Sequence, residues 1–314
     1  MAIRPKQTPP SGAMKTASPP RWRGFSAFGA RVAAPTLAPA LYIVATPIGN
    51  LADITLRALA TLAGADAILA EDTRVSRRLT DRYEISTPLT PYHEHNAAQV
   101  RPAVIARLAA GATLALISDA GTPLISDPGY KLVLDAVASG VTVTSVPGPS
   151  AALAALTGAA LPTDRFFFEG FLPAKSVARR GRINALAAVP ATLVFYEAPS
   201  RLSGALADLA AELGPRQAAV ARELTKLYEE TRRGALPELA AHYAAEGAPK
   251  GEIVIVVAPP LAAPPPGADA LDAAILAALA SLSVKDAAAS VAAATGLPRR
   301  DIYARALRLA GSRR

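Results

Sequence analysis

The sequence contains no cysteine, which excludes disulfides, thiolate metal sites and a cysteine nucleophile. Aromatic residues supply only 5% of the chain, so any core must be built mainly from aliphatic side chains. Histidine is almost as scarce. His93 and His95 are the one pair close enough in sequence to share a metal, and no metal is assigned to them. No stretch of about twenty apolar residues is free of charges and breakers, which argues against a membrane-spanning helix. The N-terminal segment also lacks the continuous apolar centre of a secretory signal. Neither G-x-G-x-x-G nor G-x-x-x-x-G-K-[ST] occurs, so the usual dinucleotide and P-loop readings have no support.

Acid is missing from one region altogether. Residues 1–40 carry six basic residues and no Asp or Glu, and residues 267–314 hold seven basic and four acidic ones. The formal charge of +8 therefore sits at the two ends, and the middle of the chain is close to neutral. A basic balance points to an anionic partner, yet the central body is not a uniformly basic nucleic-acid binder. Residues 1–40, with repeated Pro-Pro pairs, read as a disordered basic extension, with Met14 a possible later start; a transit peptide is the weaker alternative.

What is present is enough for two domains: 314 residues, 51% of them hydrophobic. Order is expected from Leu41. Apolar runs at 41–45, 67–70, 112–117 and 141–146 read as strands, with 90–95 a strand or loop. Helices are expected at 54–63 (capped by Asp53), 75–81, 97–110 and 129–139. Such alternation predicts a mostly parallel sheet with helices on both faces over residues 41–149. After Pro147-Gly148-Pro149-Ser150 a second α/β domain over 150–258 is expected. Its strands lie near 166–169, 193–196, 218–222 and 253–257, and helices near 151–156, 179–187, 200–213 and 235–245 separate them. Residues 259–267, with five prolines, read as a linker. Residues 268–314 read as a small helical domain. Ser283 and Asp286 form a capping box there, and a second helix carries Arg299, Arg300, Arg305 and Arg308. Those arginines fit either phosphate contacts or a solvated face.

Three breaker-rich segments stand out: Thr46–Asn50, Ser118–Gly129 and Pro147–Ser150. Each follows a predicted strand, so each must bend the chain at a strand end and point backbone groups into a crevice. Polar residues cluster at the same edge: Glu71, Asp72, Arg74, His93, Glu94, His95 and Asn96. Any one of these can equally serve as a loop ion pair or a helix cap. Lys175, Arg179, Arg180 and Arg182 form a basic stretch that is either a solvated helix face or a track for a phosphate backbone.

The segments Leu41-Tyr-Ile-Val-Ala-Thr-Pro-Ile-Gly-Asn-Leu-Ala-Asp-Ile-Thr55, Ala70-Glu-Asp-Thr-Arg74, His93-Glu-His-Asn96, Ser118–Gly129, Val146–Ala151, Gly170–Lys175, Tyr196-Glu197, Arg222–Lys226 and Lys250-Gly-Glu252 occur in this order. Together they resemble the tetrapyrrole-methylase superfamily in its ribosomal RNA branch, over about residues 41–258. The long basic N-terminal extension departs from that pattern. So does Thr122, where tetrapyrrole-methylating relatives carry Asp in a Gly-Asp-Pro turn.

The resemblance implies two α/β domains with mostly parallel or mixed sheets, S-adenosylmethionine in the cleft between them, a helical tail and a homodimer. By position it assigns to the cofactor Pro47, Ser118, Asp119, Ala120, Gly121, Thr122, Pro123, Ser150, Ala151, Tyr196, Leu224, Thr225 and Pro249. The activity it implies is methylation of a cytidine ribose 2′-hydroxyl in 16S ribosomal RNA, in the cytoplasm and on the small ribosomal subunit. Arg74, His93, Asn96, Lys175, Arg179 and Arg180 are the candidate RNA contacts. His95, Asp72 and Glu223 are candidate proton acceptors, and Lys226 can stabilise an alkoxide or a phosphate. Two alternatives stay open at this point: an enzyme of the same fold acting on a tetrapyrrole or a modified protein side chain, and a non-catalytic ribosome-binding module.

Overall fold

The computed structural model describes residues 22–126, 129–260 and 267–311. Residues up to Pro259 form one unit and those from Pro260 onward another. The larger unit opens with a hairpin, β1 (Gly24–Ala27) and β2 (Ala30–Ala33), turned at Phe28-Gly29. This corrects the expectation that order starts at Leu41. Phe25 is buried in the first core, Ser26 N–H donates to the Tyr83 carbonyl, and Arg23 pairs with Asp66 at 2.8 Å. The hairpin carries a single buried aromatic and little apolar alternation, so it is held by long-range bonds that a local pattern does not display. Residues 1–21 of the expected extension lie outside the described residues.

The first sheet is built from β3 (Ala40–Val44), β4 (Ala67–Ala70), β5 (Leu89–Pro91), β6 (Thr113–Ile117) and β7 (Val143–Val146), in the order β5-β4-β6-β3-β7. Every pairing in it is parallel. Its helices are α1 (Leu56–Gly64), α2 (Thr73–Arg82), α3 (Glu94–Ala109) and α4 (Tyr130–Ala138). Thr55 caps α1 by accepting the Ala58 N–H, where Asp53 was expected to do so. Leu59 and Leu62 of α1 and Leu79 of α2 pack with Tyr42 and Val44 on one face. Val104 and Leu108 of α3 and Leu132 of α4 pack with Leu41 and Ile43 on the other. The adjacent strands β3 and β6 thus send their following helices to opposite faces. That reversal opens a crevice at their carboxyl ends, the topological switch point of an open α/β sheet.

After α5 (Ala151–Gly158) comes the second sheet: β8 (Phe166–Phe171), β9 (Thr192–Glu197), β10 (Gln217–Arg222), β11 (Glu230–Ala235) and β12 (Ile253–Val257), in the order β11-β10-β12-β9-β8. Only the β8–β9 pairing is parallel, so this sheet is mixed. The sequence pattern does not reveal β11, because Glu-Thr-Arg-Arg-Gly-Ala is a polar edge strand with no buried residue. Helices α6 (Ser176–Leu186), α7 (Leu202–Leu213) and α8 (Leu236–Glu246) cover one face, with Ile183, Leu206, Leu209 and Leu239 in the core. The other face packs on α5 through Ala155 and Leu156.

The smaller unit is helical: α9 (Ala268–Ala278), α10 (Val284–Thr295) and α11 (Arg299–Gly311). Leu271, Ile275, Val291 and Ile302 form its core. Ser283 caps α10 by accepting the Asp286 N–H. Arg305 is not a free phosphate ligand, since it makes a two-pronged pair with Asp272 at 2.5 and 2.9 Å.

Candidate active site

The three breaker-rich loops meet at the switch point. Thr46 and Gly121 exchange two backbone hydrogen bonds, at 2.8 and 3.0 Å, tying the loop after β3 to the loop after β6. The Thr46 hydroxyl also donates to the Ser118 carbonyl, and the Thr122 hydroxyl donates to the Pro149 carbonyl. Thr122 therefore locks the third loop in place, and no carboxylate enters the cleft there. Asp127 and Pro128 of the same motif lie outside the described residues.

Beside these loops lies a cavity of about 370 Å³ between the two sheets. Ile48, Ala120, Gly121 and Thr122 line it from the first sheet, and Ser150 and Ala151 from the start of α5. Phe171, Tyr196, Leu224 and Ile253 close it from the second sheet. The rings of Phe168 and Phe171 meet Tyr196 edge-on, at 4.9 and 5.7 Å between centroids. Glu197, next to Tyr196 on β9, is also among the lining residues, but its side chain is fully buried and paired with Arg201. Burial raises its pKa, and the Arg201 guanidinium at 3.0 Å and the Ala198 N–H oppose that rise.

A second cavity, of about 460 Å³, opens on the other side of the same loops. Pro47, Ser118, Asp119, Lys226 and the α2 residues Val75, Ser76 and Arg78 line it. Among the described residues three line both cavities: Ile48, Ala120 and Glu252. They form the wall that separates the two spaces.

A turn from the second sheet completes this wall. Lys226 Nζ donates to Glu223 Oε1 at 2.7 Å and to Glu252 Oε2 at 3.1 Å. These bonds raise the lysine pKa against its own desolvation and hold Glu223 below the usual carboxylate range. Thr225 Oγ1 accepts the Asn50 N–H, pinning the turn to the first sheet. Glu223 and Thr225 both adopt positive φ, +50° and +67°, a conformation that costs energy for residues with a Cβ. A Cβ on Gly49 would sit 2.5 Å from Lys226 Cγ, so this close approach requires glycine.

The residues expected at the cofactor divide among these spaces. Ala120, Gly121, Thr122, Ser150, Ala151, Tyr196 and Leu224 line the first cavity. Pro47, Ser118 and Asp119 line the second, and Pro123, Thr225 and Pro249 line neither. The residues of the Lys250-Gly-Glu252 motif that reach the cavity are Gly251 and Glu252, a few positions after Pro249.

The proton-acceptor candidates fare unequally. Asp72 caps α2 and accepts three hydrogen bonds from the Arg74 side chain, the shortest at 2.7 Å, besides the Arg74 N–H. These bonds depress its pKa to about 2, which makes it a weak base. His95 is exposed on the first turn of α3 and lines neither cavity. Glu223 lines neither and is neutralised by Lys226. Lys226 does face the second cavity, as a cation.

The candidate RNA contacts need one clear correction. Arg179 is buried, 7% exposed, and bound to Asp208 at 2.7 Å through both Nε and a terminal nitrogen. It is a structural group and is not available to a phosphate. Arg180 pairs with Glu212 and Arg182 with Glu169, both at 2.6 Å, so the basic stretch of α6 is largely neutralised. Lys175 precedes α6 and is exposed. Asn96 accepts the His93 N–H and donates to the Pro91 carbonyl, a local capping role. Arg74 is exposed but paired with Asp72. The free cations lie elsewhere: Arg77 and Arg78 of α2 are exposed and make no ion pair among the described residues, and Arg78 lines the second cavity. Their signal was in the sequence, as four arginines within Thr73–Arg82, one helix after a strand end.

Two α/β sheets facing across a ligand-sized cavity, with a second cavity behind a thin wall, describe a two-substrate group-transfer enzyme. The chain belongs to the Tetrapyrrole (Corrin/Porphyrin) Methylases family, which matches residues 40–240. Residues 265–310 match the RsmI C-terminal HTH domain. The chain is 55% identical to a Ribosomal RNA small subunit methyltransferase I of Mesorhizobium japonicum, over 87% of this chain and 93% of that one. It is 48% identical to the protein of the same name from Pseudomonas aeruginosa, over 86% and 98%. Two solved structures share the fold. A diphthine synthase superposes with TM-score 0.55 at 17% identity, over 69% of this chain and 89% of that one. The uroporphyrin-III-C-methyltransferase from Thermus thermophilus does so with TM-score 0.51 at 22% identity, over 69% and 94%.

Proposed function

We propose that this protein transfers a methyl group from S-adenosylmethionine to a cytidine ribose 2′-hydroxyl of 16S ribosomal RNA. The observation that carries this reading is the pair of cavities divided by Ile48, Ala120 and Glu252, in a chain about half identical to ribosomal RNA small subunit methyltransferases. The first cavity suits the cofactor. Its volume lies in the range of small-molecule sites, and its walls are mainly apolar, as the faces of a purine need. The amide end of α5, at Ser150 and Ala151, favours a carboxylate. When bound, the cofactor supplies an electrophilic methyl group.

The chain supplies alignment and charge. The second cavity receives the flipped-out nucleotide, with Arg78 and Lys226 available to phosphate oxygens. The loop bonds through Thr46, Thr122 and Thr225 fix the wall, so the reacting atoms meet in one geometry. Such an enzyme works in the cytoplasm, on the small ribosomal subunit. It also acts as a homodimer in this reading: Tyr130, Leu134 and Val137 form an exposed apolar stripe on α4, and Phe166 and Phe167 are exposed on the edge strand β8. Mass spectrometry of small-subunit ribosomal RNA from cells with and without the gene tests the reading. One 2′-O-methylcytidine is expected to disappear, and an unchanged RNA would overturn it. Light scattering on Leu134→Arg is expected to report a shift from dimer to monomer.

A further inference from the structure

We infer that Glu252 is the group that takes the proton from the attacking ribose hydroxyl. The inference rests on the function proposed above and adds a residue to it. A base for this reaction must stand where the two substrates meet, because the hydroxyl proton leaves as its oxygen approaches the methyl carbon. Among the described residues only Ile48, Ala120 and Glu252 line both cavities, and of these the glutamate alone can accept a proton.

The surroundings of Glu252 are arranged for that task. Its side chain is 73% exposed, and Lys226 Nζ engages one oxygen, Oε2, at 3.1 Å. Oε1 carries no partner among the described residues and is open to the hydroxyl. Its backbone is fixed by a reciprocal pair of bonds with Glu223: the Glu223 N–H donates to the Glu252 carbonyl at 3.0 Å, and the Glu252 N–H donates to Glu223 Oε1 at 3.1 Å. The preceding Gly251, at φ +101°, leaves room for the Glu223 side chain. Lys226, held by both carboxylates, is the cation beside Glu252 that lines the second cavity. Asp119, the other carboxylate of the second cavity, does not line the first, and its Oδ1 accepts the Asp72 N–H.

The step balances as follows. The ribose oxygen forms a bond to the methyl carbon while the carbon–sulfur bond breaks. The pair of electrons from that bond goes to sulfur, which loses its positive charge. The hydroxyl proton goes to Glu252 Oε1 and leaves to solvent through the open side of the cavity.

The test compares the wild type with Glu252→Gln and Glu252→Asp, using a small-subunit RNA fragment and S-adenosylmethionine. Calorimetric binding of the cofactor, and of the RNA to cofactor-free protein, is expected to stay within about threefold in Glu252→Gln, which also establishes that it folds. Its single-turnover rate at saturating substrates is expected to fall by about 10²-fold or more. The acid limb of the pH–rate profile should vanish with it, and Glu252→Asp should recover part of the rate. A Glu252→Gln rate within threefold of wild type, or a defect confined to cofactor affinity, would overturn the assignment. Failure of the wild type itself to methylate the RNA would instead count against the proposed function.

Discussion

Replacing Arg179 by alanine separates a structural from an RNA-contacting reading of the basic stretch on α6. Arg179 Nε and a terminal nitrogen each bind Asp208 Oδ2 at 2.7 Å, and another donates to the Ala174 carbonyl at 3.2 Å. The side chains are 8% and 14% exposed. Removing one partner of such a pair leaves a buried charge uncompensated, at a cost of about 3–5 kcal/mol. Asp208 keeps the Ser176 hydroxyl at 2.9 Å and a little solvent, so the lower end, about 3 kcal/mol, applies here. For a unit of this size that corresponds to a Tm lower by about 6–12 °C, measurable by differential scanning calorimetry. Arg179→Met with Asp208→Leu should regain most of the loss, because the desolvation cost disappears with both charges. RNA affinity of the folded variant should be unchanged. A Tm within 2 °C of wild type together with weakened RNA binding would refute the buried-pair reasoning.

The opposite signature is expected on α2. Charge reversal of Arg77 and Arg78 together should leave Tm and cofactor binding alone, weaken RNA binding roughly tenfold or more, and reduce the salt slope of affinity by about 1.5–2. Gly251→Ala places a Cβ 2.3 Å from Glu223 at a φ of +101°, so a loss of about 1–3 kcal/mol in thermal unfolding and a collapse of methyl transfer are expected. Asp66→Asn tests pH linkage. Bonds from Thr113 N–H, the Arg23 guanidinium and the Thr113 hydroxyl hold the Asp66 carboxyl below its usual range. Its stabilisation is therefore full above about pH 4 and is lost as the pH falls through the lower folded value. Urea titrations should show wild type ahead by about 1 kcal/mol at pH 7, a figure reduced for its partial exposure, with the gap closing in acid.

Much of this molecule could be read before it was folded. The buried parallel strands β3, β4 and β6 are continuous apolar runs, and strands alternating with helices in this way leave few topologies. The three breaker-rich loops announced a crevice because Pro and Gly cannot continue a strand. The polar edge strand β11 and the hairpin β1–β2 have no such signature: neither carries an apolar pattern, β11 is held by pairing with β10, and the hairpin is tied down through Ser26 and Arg23 to Tyr83 and Asp66.

The sequence by itself determined the alternation of strands and helices, the place of the loops and the family. The tertiary structure decided which charges are free. Arg179, Arg180 and Arg182 read as a basic track in one dimension, yet Asp208, Glu212 and Glu169, between 13 and 32 residues away, neutralise them. Arg77 and Arg78 have no such partner among the described residues. Asp72 and Glu252 look alike in sequence, but one is bound to Arg74 and the other stands in the wall between two cavities. A charge acts through the groups within a few ångströms of it, and the fold alone sets those neighbours.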